Sequence, residues 1–214
     1  MKRMFDSIIF CGLDGSGKST QAKKLIEALK SNNIQCRYVW LRYPNVLSLP
    51  FAAFVKLLGK SVYPLSIERR KKGISNLREN NFLQKLWEFV LFSDLKFVSS
   101  YKVFQYIKKG DIVILDRYII DSVIDLAVTS DKEEKIIELY DKFSKILPYN
   151  TKIFYFDIDA QTSFQRVHEE DVKTLEIKRK LYLILSKKFQ FTVINGNDSI
   201  SDIHNTILEE CTKN

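Results

Sequence analysis

The 214-residue chain has only three cysteines, Cys11, Cys36 and Cys211, with no CxxC spacing, which argues against a disulfide framework and for a reducing compartment. Its two histidines, His168 and His204, are too few for a metal centre built from His and Cys. No apolar run reaches the roughly 18 residues of a membrane span, because Lys56, Glu88 and Asp94 break the longest ones. The segment Met1 to Phe10 carries basic residues but no signal-peptide core, so a cytoplasmic protein is expected. Repeats, low-complexity tracts and Gly/Ser/Pro linkers are missing too. With 45% hydrophobic residues to fill a core, the chain reads as one domain over 1–214.

Positive charge is plentiful: 34 Lys and Arg against 26 Asp and Glu give +8, which favours nucleotides, nucleic acid or lipid headgroups as partners. The excess is local. Lys60 to Gly73 carries five bases and one acid, and Lys173 to Lys188 six bases and one acid, whereas Asp116 to Asp141 carries three bases against eight acids.

Patterning supplies the elements. Ser7 to Cys11 is an apolar run ended by Gly12, as in a buried strand, and Lys18 to Lys30 places Ala22, Leu25, Ile26 and Leu29 on one helical face. Gln35 to Leu41 reads as a second strand. Phe82 to Lys109 has a long helical pattern with Gly110 as its cap, and Ile112 to Leu115 is a buried strand ending at Asp116. Ser130 with Glu133 predicts a capping box opening a helix that turns Ile136, Tyr140, Phe143 and Leu147 inward. Strands at Lys152 to Phe156 and Phe191 to Ile194 bracket helices around Arg166 to Lys188, and Trp40 and Trp87 fit core positions. This alternation implies an α/β fold: a parallel sheet of about five strands covered by helices on both faces, binding ligands at the carboxyl ends of its strands.

Gly12-Leu13-Asp14-Gly15-Ser16-Gly17-Lys18-Ser19 matches GxxxxGK[ST] in full, between a strand and a helix as that motif requires. Glycines let the backbone curl around a phosphate, and the following helix adds its positive end. Lys18 would reach the β- and γ-phosphates of ATP and the Ser19 hydroxyl would bind Mg²⁺, so a P-loop NTPase fold is expected. Asp116 can hold the Mg²⁺, directly or through water, and Arg117 can neutralise a phosphate oxygen. Without the loop, that pair reads more often as a structural ion pair at a strand end.

Together these pieces resemble the thymidylate kinase family, P-loop nucleoside monophosphate kinases that move the γ-phosphate of ATP to dTMP. The resemblance runs from Gly12 through Thr20, by way of Arg42-Tyr43-Pro44, Leu91-Phe92-Ser93, Asp116-Arg117-Tyr118 and Phe156-Asp157-Ile158-Asp159, to Val193-Ile194-Asn195. It implies ATP on Gly12, Asp14, Gly15, Ser16, Gly17, Lys18, Ser19 and Thr20, with Mg²⁺ on Ser19 and Asp116. It also implies an acceptor site of Asp14, Arg42, Phe92, Lys96, Arg117 and Asp121, and catalysis by Asp14, Lys18, Arg117 and Arg166. Phe92 would stack on the base, although an apolar residue in a long helix is otherwise a core residue. The resemblance further implies a short lid near 167–175 and a homodimer built on the Phe82 to Lys109 helix, with small nucleotides as partners in place of nucleic acid or membrane.

The sequence departs from the family pattern in four places. Lys96 stands where an arginine is usual, and Cys11 where a glutamate is common, either as a buried small hydrophobe or as a reactive thiol. Asp125 and Leu126 replace an aromatic–Gln pair, which leaves the readout of thymine open. The P-loop has no base before Lys18 and the lid only Lys173, leaving Arg166 or Arg179 as the source of a transition-state cation. The expected activity is Mg·ATP-dependent phosphorylation of a pyrimidine deoxynucleoside monophosphate, dTMP to dTDP. The alternatives are a kinase of another nucleoside or monophosphate, and a nucleotide-binding module with weak or no kinase activity. The basic run Glu68 to Lys72 reads as a solvated helix end or as part of an acceptor flap.

Overall fold

Five apolar runs, too short for helices and rich in β-branched and aromatic residues, pair into one sheet. The computed structural model describes residues 5–41, 46–61, 75–76 and 81–212. In chain order its elements are β1 (Ser7–Gly12), α1 (Lys18–Ser31), β2 (Cys36–Trp40), α2 (Ser48–Leu57), β3 (Lys60–Ser61), β4 (Ser75–Asn76) and α3 (Asn81–Val98). A π-helical turn (Ser99–Val103) leads into α4 (Phe104–Lys108), β5 (Ile112–Asp116) and α5 (Ile119–Ser130). A 3₁₀ turn (Glu133–Lys135), α6 (Ile136–Ser144), β6 (Thr151–Asp157), α7 (Ala160–Val167), α8 (Val172–Phe189), β7 (Thr192–Asn195) and α9 (Ile200–Glu210) complete the described chain.

The main sheet has the order β2-β5-β1-β6-β7 with every pair parallel, while β3 and β4 form a separate short parallel pair. Successive residues of a strand point to opposite faces, so two cores form. Ile8, Phe10, Ile114, Phe154 and Phe156 pack under Leu25 and Leu29 of α1 and Ile203 and Ile207 of α9. On the other face Ile9, Val113, Leu115 and Tyr155 meet Trp87 and Leu91 of α3, Ile120 and Ile124 of α5, and Leu181 and Leu185 of α8. The chain runs from β1 out to β2, returns to β5 between them, and then crosses to β6 on the other side of β1. That reversal opens a crevice at the carboxyl ends of β1 and β5, where α/β sheets bind ligands.

Several elements differ from the sequence reading. Ser130 does not open a helix: it is the buried last residue of α5, and Asp131 follows as a C-cap with φ +57°. α5 escapes an amphipathic pattern because all twelve of its residues are buried. The helical stretch from Asn81 to Lys108 is interrupted where Ser99 Oγ bonds back to the Leu95 carbonyl at 2.5 Å and contacts the Tyr118 hydroxyl. Trp87 is fully buried, whereas Trp40 is half exposed because β2 is the sheet's edge strand. No described helix is long and apolar enough to cross a membrane.

Candidate active site

The loop between β1 and α1 closes over its own lysine. Lys18 is buried, and its Nζ donates to the carbonyls of Gly12 at 2.8 Å and Leu13 at 2.6 Å and to Ser16 Oγ at 3.2 Å. A cation held by neutral loop oxygens can be handed to a stronger anion such as a phosphate. The loop also needs its glycines. Gly12 has φ +140°, and a Cβ there would lie 2.5 Å from the Phe156 carbonyl oxygen; at Gly15, φ +77°, it would lie 2.9 Å from Arg166 Cβ. α7 braces the same loop, with Ser163 Oγ donating to the Asp14 carbonyl at 2.7 Å and Arg166 Nη1 to the Gly15 carbonyl at 2.8 Å.

At the first turn of α1, the exposed Ser19 donates to Asp116 Oδ2 at 2.5 Å. Asp116 is fully buried at the end of β5, and its Oδ1 has no hydrogen-bond partner among the described residues. A buried carboxylate oxygen left unpartnered beside a loop hydroxyl suits an oxygen-seeking divalent cation such as Mg²⁺. Tyr38 of β2 joins this group by donating to Asp116 Oδ2 at 2.8 Å.

Across the loop, Arg117 pairs with Asp14 while its backbone sits at φ +58°, a conformation L residues seldom adopt, held by its N–H to the Phe10 carbonyl at 3.3 Å. Asp121 accepts from Gly12 N at 3.5 Å, Tyr118 N at 3.3 Å and the Tyr182 hydroxyl at 2.7 Å. Burial pushes its carboxyl above the usual aspartate range, against the pull of Lys18 and Arg117. Asp14, Arg117, Asp121, Asp125, Glu170, Lys178 and Tyr182 together line a polar cavity beside Gly12 and Leu13. Within it, Lys178 Nζ lies 2.5 Å from Asp125 Oδ1 and 2.7 Å from Glu170 Oε1. Burial lowers the Lys178 pKa, but Asp125 and Glu170 outweigh that and hold it above the ordinary lysine value.

The structure thus gathers Gly12, Asp14, Gly15, Ser16, Gly17, Lys18, Ser19, Asp116, Arg117, Asp121 and Arg166 around one loop; Thr20 is exposed on the first turn of α1. Phe92 is elsewhere, edge-on to Phe143 of α6 with ring centroids 5.3 Å apart and Lys142 Nζ 5.7 Å from its own centroid. Lys96, one turn on, is exposed, and neither residue lines the polar cavity. Arg42 and the run Glu68 to Lys72 lie outside the described residues. Arg179 binds Asp157 through Nε at 2.7 Å and Nη2 at 2.8 Å. Cys11 is fully buried, and burial raises its thiol well above the usual range, which leaves an inert small hydrophobe. Tyr38, Glu170, Lys178 and Tyr182 are additions to the sequence reading. Lys178 is hidden there by a stretch of six bases that looks like a solvated face.

No protein-family model matches the chain. Among curated relatives, it is 28% identical to a probable thymidylate kinase of Sulfurisphaera tokodaii, over 92% of this chain and 90% of the other. It is 25% identical to a thymidylate kinase of Fervidobacterium nodosum, over 94% and 96%. To a thymidylate kinase of Plasmodium falciparum it is 26% identical, over 96% and 89%.

Proposed function

We propose that the chain, a divergent member of the thymidylate kinase family by its likeness to those relatives, is a nucleoside monophosphate kinase that phosphorylates a pyrimidine deoxynucleoside monophosphate, dTMP to dTDP, using Mg·ATP. The observation that carries this reading is the junction of Lys18, Ser19 and Asp116 at one phosphate-sized loop. Lys18 exchanges its loop carbonyls for the β- and γ-phosphates. Ser19 and Asp116 would hold Mg²⁺, which when bound would supply charge neutralisation for the phosphates. Arg117, paired with Asp14 until the acceptor arrives, takes the acceptor's phosphate, together with Arg42.

Phosphoryl transfer depends on positioning and on charge placed at the transition state. Of the two arginines flanking the lid, Arg166 lies against Gly15 of the loop, whereas both forks of Arg179 are taken by Asp157. Arg166 is therefore the proposed cation. The exposed rings Phe82, Phe89, Phe97 and Tyr101 along α3 and the turn after it support a homodimer through that helix, and light scattering behind a sizing column tests it.

A second reading, another monophosphate as acceptor, is favoured by Asp125, which occupies the place of an aromatic and is tied into a buried ion group with Lys178 and Glu170. ADP release from Mg·ATP with dTMP, dUMP, dCMP, UMP, CMP, AMP and GMP tests both. Preference for dTMP supports the first reading, preference for another member of the panel supports the second, and acceptor-independent background alone removes both.

A further inference from the structure

The Asp116 carboxylate is held from one side only. Its Oδ2 accepts two hydroxyl protons, from Ser19 at 2.5 Å and from Tyr38 at 2.8 Å, while its buried Oδ1 has no partner among the described residues. Tyr38 pairs with Ile114 in the β2–β5 register, two residues before Asp116, and residues two apart on a strand share a face. The phenol therefore runs along the sheet to the carboxylate. Tyr38 is 42% exposed, so its ring fills little of the core and its hydroxyl is the engaged part.

The GK[ST] pattern calls for Ser19 and a strand-end aspartate, but not for a phenol from the edge strand. A serine that gives its proton to a carboxylate keeps its lone pairs for a cation. Held by that serine alone, the carboxylate can turn about Cβ–Cγ. With a second donor on the same oxygen, turning breaks two charge-assisted hydrogen bonds at once. We propose that Tyr38 is a positioning residue for the magnesium site, its hydroxyl fixing the Asp116 carboxylate so that Oδ1 faces the cation. This rests on the magnesium-dependent kinase reading. A tyrosine phenol, with an ordinary pKa of about 10, is a protonated donor at neutral pH. Groups of this kind behind a metal ligand are worth about 10- to 100-fold in metal affinity.

Tyr38→Phe is the test, because it removes the hydroxyl and keeps the ring. Free Mn²⁺ is counted by electron paramagnetic resonance while it is titrated into the full chain with a non-hydrolysable ATP analogue, and analogue binding is measured separately in EDTA. The expected result is Mn²⁺ affinity about tenfold weaker, with analogue binding in EDTA at the parent value. The Mg²⁺ concentration giving half-maximal activity rises by the same factor, and saturating Mg²⁺ restores kcat. Mn²⁺ affinity within about twofold of the parent, or tighter than it, overturns the proposal, as does equal weakening of the analogue in EDTA. If the parent with its analogue binds no Mn²⁺, the magnesium-dependent reading falls and takes this proposal with it. Unchanged Mn²⁺ affinity beside intact dTMP turnover overturns the role of Tyr38 alone.

Discussion

Replacing Lys178 with methionine leaves two buried carboxylates without the cation they share. Asp125, Glu170 and Lys178 are each less than a tenth exposed, and the Nζ contacts are 2.5 and 2.7 Å. Methionine keeps most of the stem, so little cavity opens and the loss is electrostatic. Removing one partner of a buried ion pair costs about 3–5 kcal/mol. At about 2–4 °C per kcal/mol for a chain of this size, Tm should fall by about 6–20 °C. Urea denaturation at pH 7 reads the free energy. The double variant Lys178→Met/Glu170→Gln should recover at least about 1 kcal/mol, since the neutral amide removes one stranded charge. The Lys178 pKa is raised in the fold, so its contribution is fully present below about pH 10.4 and is lost as pH rises through the folded value. The methionine variant should lack that alkaline decline. A loss below about 1 kcal/mol, or a double variant weaker than the single, would refute the buried-triplet reasoning.

Other consequences are as direct. Asp94, fully buried on α3, accepts from the backbone N–H groups of Val46 at 3.1 Å, Leu47 at 2.9 Å and Ser48 at 3.2 Å, capping α2 from a distance. Asp94→Ala should cost about 2–4 kcal/mol in urea denaturation, and a loss under about 0.5 kcal/mol would count against the cap. Gly12→Ala meets the Phe156 carbonyl at 2.5 Å and should abolish ATP-analogue binding by calorimetry; parent-like binding would contradict the loop geometry. Arg166→Ala should lower kcat by about 10²–10³ with little change in the KM for ATP, and Arg179→Ala by much less. The reverse order in steady-state kinetics would move the catalytic cation to Arg179.

What the sequence revealed follows from which interactions are local. The loop from Gly12 to Ser19 and the strand delivering Asp116 are contiguous, so motif and periodicity expose them, and the parallel sheet follows from alternation. α5 is hidden because burial on every side erases the amphipathic stripe, and that in turn makes Ser130 look like the start of the next helix. Phe92, which the resemblance assigns to the base, packs edge-on against Phe143 under Lys142, contacts that periodicity does not reveal. Contacts across long stretches of chain, such as Lys178 with Asp125 or Tyr38 with Asp116, leave no periodic trace.

The measurement that bears most directly on the function is ³¹P NMR of dTMP with Mg·ATP, run with the parent and with Lys18→Ala. Accumulation of dTDP and ADP in equal amounts, slowed by about 10²–10³ in the variant, is the predicted result. A spectrum in which dTMP persists unchanged with the parent, or in which the variant keeps pace with it, would contradict the account.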